Sequence, residues 1–249
     1  MALFSLIIFL ASASSNVKIG DILSPILSAM ALILSSAAFI FTVVIQLKER
    51  KRNIRQTLSV ALSDIANINV EVSRLKKDDK ESTPENILIR KNYNSQRGTL
   101  ASAADFLIKE NEKLITNADY ELMAITYDDL GDIRKADEYW KQAIKHAANP
   151  AQLHIHQRDY ASFLFDNNQL EQGRKLFERS LTVKLSATDD ELRYVADTYL
   201  MWAMLEKNFN NEKEFNRLIK EAYQQCKKIQ HKEKSLEMSR LIDKSVKAA

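Results

Sequence analysis

The residues of this chain that could do chemistry are four histidines, one cysteine and several adjacent acidic pairs. His154 and His156 stand two positions apart, and in a helix that spacing directs two side chains to different sides. Joint ligation of a metal ion is therefore poor geometry, and capping or solvent exposure is the expected role of both. His146 and His231 stand alone among charged residues and are expected at the surface.

The acidic pairs and the cysteine predict no catalytic group either. Asp128 with Asp129, and Asp189 with Asp190, are adjacent carboxylates that diverge on a helix, so a solvated charged face is expected. Cys226 lies in a helical pattern beside lysines, with no histidine or aspartate partner implied, and is expected to be a small buried hydrophobe. The glycines are isolated, so no phosphate-binding loop is present. The sequence predicts no enzyme, no cofactor and no metal.

The composition favours an all-α protein. Only four glycines and three prolines occur among 249 residues, whereas strands and tight turns need such residues as punctuation. A single cysteine cannot form an internal disulfide, which suits a reducing compartment. No basic patch is interleaved with aromatic residues, so nucleic-acid binding is not expected.

An uncharged apolar run covers residues 22–47, and a basic cluster from Lys48 to Arg55 follows it. About 20 apolar residues cross a bilayer, and basic residues mark the cytoplasmic end. The pattern predicts a single transmembrane helix over 22–47, with the chain after residue 48 in the cytoplasm. A prokaryotic inner membrane is the expected location for a small protein with this single-span layout. Residues 1–21 form a short apolar N-terminal segment. Residues 1–13 resemble a cleavable signal peptide, but no basic residue precedes the apolar run, so retention is favoured.

Residues 48–77 form an amphipathic stalk helix. Its apolar positions alternate in steps of four and three, and they are Ile54, Leu58, Ala61, Ile65, Ile68, Val72 and Leu75. Two interpretations stay open: a coiled coil that self-associates, or a helix folded onto the downstream domain, which Val60 and Leu62 favour by widening the apolar face. A polar linker over 78–83 follows. Thr83 and Pro84 then supply a cap and a first helical position for a domain over 84–249.

The segment from Asn117 to Pro150 resembles a tetratricopeptide repeat, a helix-turn-helix unit of 34 residues. Small residues alternate with large and aromatic ones on both helices, and a glycine stands at the turn. The residues that carry the match are Tyr120, Met123, Ala124, Tyr127, Gly131, Asp132, Ala136, Trp140, Ala143 and Pro150.

Two further units resemble the same repeat, one starting near His154 and one near Ala196, with turns at Asn168 and at Asn210 and Asn211. They depart from the pattern at three positions: Gln157 and Glu206 stand where the family usually has an aromatic residue, and Phe215 replaces a small one. Residues 84–115 are expected to form a degenerate helical pair turning near Gly98. The resemblance implies an α-solenoid of about three repeats, closed by a C-terminal capping helix.

The resemblance also implies a concave groove lined by the first helix of each unit. The candidate peptide-binding residues are Glu121, Ile125, Asp128, Asp129, Arg158, Ser162 and Phe165. A ligand would place basic residues near the three acidic positions and an apolar side chain near Phe165; the alternative, that these carboxylates only solvate the surface, stays open. Some family members clamp the C-terminal carboxylate of a chaperone with Lys and Asn, but Glu121 and Ile125 occupy those places here, so that activity is not expected.

These observations predict a membrane-anchored scaffold or adaptor that binds a cytoplasmic protein or peptide. The alternative is an accessory or regulatory subunit of a membrane complex for transport, secretion or signalling. In that case small residues of the span, such as Ser28, Ala31 and Ser35, would pack against partner helices. Self-association through the stalk or the span is compatible with both.

Overall fold

A computed structural model describes residues 19–78 and 83–248 of the chain. Within these ranges the protein consists of nine α-helices and one short 3-10 helix, with no strand. The all-α prediction is therefore confirmed. The prediction for residues 1–18, including the question of a signal peptide, and most of the 78–83 linker lie outside the described residues.

The first helix, α1, runs from Ile19 to Asp78. Its part from Leu23 onward is long and apolar enough to cross a membrane by length and composition. All the large apolar side chains between Leu23 and Leu47 except the half-buried Ile26 are exposed, which a lipid environment accommodates and water does not. Ser28 Oγ and Thr42 Oγ1 donate hydrogen bonds of 2.9 Å to carbonyls four residues earlier, so both hydroxyls are satisfied within their own helix.

The chain divides into two compact units, Met1–Thr57 and Leu58–Ala249. In the second unit, the C-terminal part of α1 contributes Leu58, Leu62 and Ile65 to a core that also contains Ala101 and Ala104. Of the two interpretations of the stalk, the structure therefore agrees with the helix folded onto the domain. Self-association through the same seam stays a prediction, although burial of Leu58, Leu62 and Ile65 in the core leaves little of that seam available to a partner helix.

Helix α2 spans Pro84–Glu110 and begins where the sequence predicts, with the Thr83 side chain accepting a hydrogen bond from the Asn86 backbone N–H. It continues through Gly98 without interruption, so the predicted turn at that residue is wrong. An isolated glycine costs a helix only about 1 kcal/mol. The buried Arg97, Ala101, Ala104 and Ile108 hold the C-terminal half of α2 against its neighbours.

The helices that follow form three successive pairs, in which the second helix packs on the first. After the 3-10 helix Glu112–Leu114 come α3 (Asn117–Asp129) and α4 (Ile133–Lys145), α5 (Pro150–Asp166) and α6 (Leu170–Leu181), α7 (Asp189–Asn208) and α8 (Glu212–Cys226), and finally α9 (Lys232–Ala248). Gly131, Asn168 and Asn210 adopt positive φ angles between 58° and 78° at the three turns. Glycine and asparagine tolerate this conformation best, and the predicted turns are confirmed.

Local capping explains where these helices begin. Thr116 and Thr188 each accept a hydrogen bond from the backbone N–H three residues on, while Asp119 and Glu191 bond back to the caps. Asn149 caps α5, and Pro150 occupies its first turn.

The domain core consists of three neighbouring clusters. The first contains Tyr120, Tyr139 and Trp140 and includes the end of α1. The second is built on Phe165, Phe177 and Trp202, with the last two rings stacked 5.3 Å apart. The third joins α7 and α8 to α9. Cys226 is buried there, as expected for a small hydrophobe.

Candidate functional site

The first helices of the three pairs lie side by side. Asn117 Nδ2 of α3 donates to His156 Nε2 of α5 at 2.9 Å. His154 Nε2 of α5 lies 2.9 Å from the Thr198 hydroxyl of α7, and Arg158 Nη1 donates to Asp197 at 2.9 Å. Side chains of α3, α5 and α7 therefore share a continuous surface.

Three carboxylates on α3 and α5 give part of this surface an acidic character. We call Glu121, Asp128 and Asp166 the acidic face. Burial raises the pKa of Glu121, nearby Asp159 raises it further, and Arg158 opposes both. Burial also raises the pKa of Asp128, against a hydrogen bond from Asn167 and with repulsion from Asp166. The pKa of Asp166 is raised by burial alone. For each of the three carboxylates, nearby charges and hydrogen bonds therefore do not fully offset the free-energy cost of desolvation.

A buried histidine lies beneath Glu121. His156 Nδ1 lies 3.7 Å from Glu121 Oε2, beyond hydrogen-bond distance, and in the part of the chain described here it has no hydrogen-bond partner. Since Nε2 accepts from Asn117, the neutral ring carries its proton on Nδ1, towards the carboxylate. Burial lowers the pKa of His156, so this histidine is neutral at physiological pH and supplies no positive charge to Glu121.

Most of the predicted groove residues lie on this surface. Glu121, Ile125 and Asp128 follow one face of α3, and Arg158 and Ser162 follow one face of α5. Ile125 is 41% exposed and is the large apolar side chain available between the acidic positions. Arg158 is engaged by Asp159 at 2.7 Å and by Asp197.

Phe165 does not line the groove, and the prediction that it offers its ring to a ligand is wrong. Its side chain is fully buried, with ring centroids 5.8 Å from Phe177 and 6.0 Å from Phe209. Gly173 explains this position, because a Cβ there would lie 2.5 Å from Phe165 Cδ2. The ring of Phe165 fills the space that the glycine leaves.

Asp129 has a partner inside the protein rather than a free position in the groove. Its Oδ2 accepts a hydrogen bond of 2.7 Å from Arg97 Nη1. Arg97 is 1% exposed and also bonds Asn69 on α1 and Asn94 on α2. Arg97 thus joins three helices. The sequence carries no signal for this cluster, because its partners lie 28 and 32 residues away from Arg97.

The two central histidines also differ from expectation. Both are buried rather than exposed. His154 Nδ1 donates to the Ser180 carbonyl at 2.8 Å, and its other nitrogen faces Thr198, so it fastens α5 to α6 and α7. Among residues 19–78 and 83–248 no three histidine, cysteine or acidic side chains converge to hold a metal ion. His146 and His231 are exposed, as predicted.

Glu206, one of the departures from the repeat pattern, is a buried structural ion pair. Its two oxygens accept from Arg174 Nε and Nη2 at 2.7 and 2.8 Å, and Trp202 and Asn211 donate to it as well. Burial raises the pKa of Glu206, but these hydrogen bonds outweigh it and leave the pKa below its usual range. Because its acceptors are fully used, Glu206 is not available to a ligand.

Comparison with known proteins adds little to this description. No protein-family model matches the chain, and no curated protein matches it. One solved structure that it resembles is described as the crystal structure of BtubC (BKLC) from P. vanneervenii, with 15% identity and a TM-score of 0.41 over 77% of this chain and 91% of that one.

Proposed function

We propose that this protein is a membrane-anchored adaptor whose helical domain binds a basic segment of a cytoplasmic protein on the acidic face. The domain would be a short tetratricopeptide-like solenoid in which α3, α5 and α7 line the concave side and α9 caps the end. The apolar helix at the N-terminus supports the anchor, and the basic cluster after Leu47 supports a cytoplasmic location for the domain.

The observation that carries the proposal is the clustering of three carboxylates on one surface, where Glu121 and Asp128 are half-buried and Asp166 is exposed beside Asp128. Half-buried carboxylates that form no ion pair with a lysine or arginine among the described residues are a cost to the free protein. A lysine or arginine side chain from a ligand would offset that cost in a partly dehydrated site, where a charge-assisted hydrogen bond is strongest. Ile125 offers an apolar contact beside them, so the favoured ligand alternates basic and apolar residues.

Binding of modest affinity would be sufficient for a membrane-anchored adaptor, because the anchor raises the local concentration of the ligand near the bilayer. The alternative is a subunit whose span packs against partner helices. Because the Ser28 and Thr42 hydroxyls are satisfied within α1, such packing would depend on small side-chain size rather than on hydrogen bonds between helices.

Site-specific crosslinking in native membranes tests the proposal. A photoreactive amino acid in place of Ile125 is expected to crosslink a protein through a segment rich in lysine and arginine. The triple variant E121K/D128K/D166K is expected to reduce that crosslink at least tenfold, because it replaces attraction by repulsion.

The matched control is E110K/E178K/E233K, which makes the same change of net charge at exposed positions of α2, α6 and α9, outside the acidic face. It should leave the crosslink unchanged. An undiminished crosslink in the triple variant, with the domain folded by circular dichroism, would exclude the acidic face as the binding site.

A further inference from the structure

A second surface feature lies at the C-terminal end of the domain. A cleft of about 590 Å³ opens between α5, α7 and α9, and this volume is typical of ligand-binding sites, which measure about 300–1,000 Å³. It is lined by four basic side chains and two acidic ones. Its charge is therefore opposite to that of the acidic face.

The positive charge of the cleft is only partly neutralised within the protein. Arg158 is balanced by Asp159 and Asp197, and Arg193 lies in the field of Asp190. Arg240 and Lys244 on α9 form no ion pair with any described residue, and both are exposed. Since they are four positions apart, both project from the same face of α9.

Apolar side chains continue the wall beside these two cations. Leu241 is exposed next to Arg240, and Ile155 and Tyr194 line the opposing helices. A compact phosphate is usually held by a dense group of donors or by a helix N-terminus. Cations spread along an apolar wall fit an extended ligand better, one that carries carboxylates and an aliphatic side chain.

We propose that the α5–α7–α9 cleft binds an acidic segment of a partner protein, with carboxylates at Arg240 and Lys244 and an apolar side chain against Leu241. The inference does not depend on the acidic face, because these three residues take no part in it. A segment bound here would be excluded from the acidic face by charge, so the two sites would select different ligands.

Fluorescence anisotropy with a defined peptide tests this inference. The probe is a fluorescein-labelled hexapeptide with paired glutamates at both ends and two central leucines, titrated with the full-length protein in uncharged detergent micelles. Saturable binding is expected that weakens with added salt. R240E/K244E is expected to weaken it at least tenfold, because it replaces attraction of the glutamates by repulsion. Leu241→Ser is expected to weaken it about threefold, because it removes the apolar contact.

The control K213E/K220E makes the same change of net charge at exposed positions of α8, outside the cleft, and should leave the affinity within twofold. An equal loss of affinity in both double variants would show that only the net charge of the protein matters, and it would overturn the inference. So would displacement of the peptide by inorganic phosphate at the same concentration as unlabelled peptide, or equal binding of a probe with glutamine in place of glutamate. Failure of this experiment leaves the Ile125 crosslink unaffected, so the two proposals fail separately.

Discussion

At the scale of the residue, Gly173 is a position at which the packing leaves no space for a larger side chain. A Cβ there would meet Phe165 Cδ2 at 2.5 Å and the Ala161 carbonyl oxygen at 3.1 Å. Phe165 is fully buried between Phe177 and Phe209, so its ring cannot move aside. Gly173→Ala is therefore expected to lower the free energy of unfolding by about 1–3 kcal/mol, measured by urea denaturation.

Gly98→Ala is the matched control, since no atom lies within 4 Å of a Cβ at that position in α2. Alanine is the better helix former, so this variant should gain about 0.5–1 kcal/mol. A destabilised G98A together with an unchanged G173A would contradict the packing described here.

The buried histidines predict that stability depends on pH. Burial lowers the pKa of His154, although hydrogen bonds to the Ser180 and Tyr194 carbonyls oppose it. A histidine whose pKa is lower in the folded state contributes its full stability above the unfolded value of about 6.5, and that stability is lost as pH falls. Between pH 7.5 and 5.5 the unfolding free energy should fall by up to ~1.4 kcal/mol on account of His154.

Thermal melts at the two pH values check this expectation. His154→Asn should be less stable than the parent at pH 7.5, with a smaller further loss at pH 5.5. His146→Asn, at an exposed position, should retain the pH dependence of the parent. A parent protein equally stable at both pH values would contradict the assignment of His154 as a buried neutral group.

These residues also mark the limit of what the sequence could predict. Cys226 was correctly expected to be buried, because its helical position and lack of a partner are local information. Phe165 and His154 were misjudged, since their burial depends on Gly173, Ser180 and Thr198, which lie between 8 and 44 residues away. A residue's own type and spacing do not report such long-range contacts.

At the scale of the element, the Arg97 cluster holds α1, α2 and α3 together within the domain. Arg97→Met would remove the donor of the hydrogen bonds to Asn69, Asn94 and Asp129. Removing one partner of a buried pair costs about 3–5 kcal/mol. Since the Asp129 side chain is 36% exposed, we expect a smaller decrease in the free energy of unfolding, of about 2 kcal/mol, measured by urea denaturation.

Hydrogen exchange locates the effect on the elements. In the Arg97→Met variant, the protection of backbone amides against exchange should fall most in residues 58–75 and 117–129, the segments that Arg97 joins. Arg134→Ala removes an exposed pair with Glu138 and should change stability by no more than about 0.5 kcal/mol. A uniform loss of protection across α7, α8 and α9 would contradict a local role for Arg97.

Most helix boundaries were predictable, and the exceptions have physical reasons. Turns at Gly131, Asn168 and Asn210 carry residues suited to positive φ, and Thr83 with Pro84 marks a helix start. Gly98 misled the prediction, because a glycine in a helix interior and a glycine at a turn look alike in sequence. The acidic face could be anticipated from the repeat resemblance, which places Glu121, Asp128 and Asp166 in the groove, whereas the buried His156 required the packing of α3 against α5.

At the scale of the whole molecule, the domain has two surfaces of opposite charge, the acidic face and the α5–α7–α9 cleft, and residues 19–78 form one long helix with an apolar part. If both surfaces bind as we propose, their ligands differ in charge. The apolar helix was predictable, because length and apolar composition are properties of sequence alone. The cleft was not, because Arg158, Tyr194 and Arg240 meet only when α9 folds onto α5 and α7.

The central claim is that α1 anchors the helical domain in a membrane with that domain on the cytoplasmic side. Protease added outside intact cells, followed by alkaline extraction of the membranes, tests it most directly. We predict that residues 58–248 stay undigested until the cells are opened, and that the chain then remains in the membrane pellet at high pH. Digestion of the domain in intact cells, or release of the full chain by alkali, would contradict the claim.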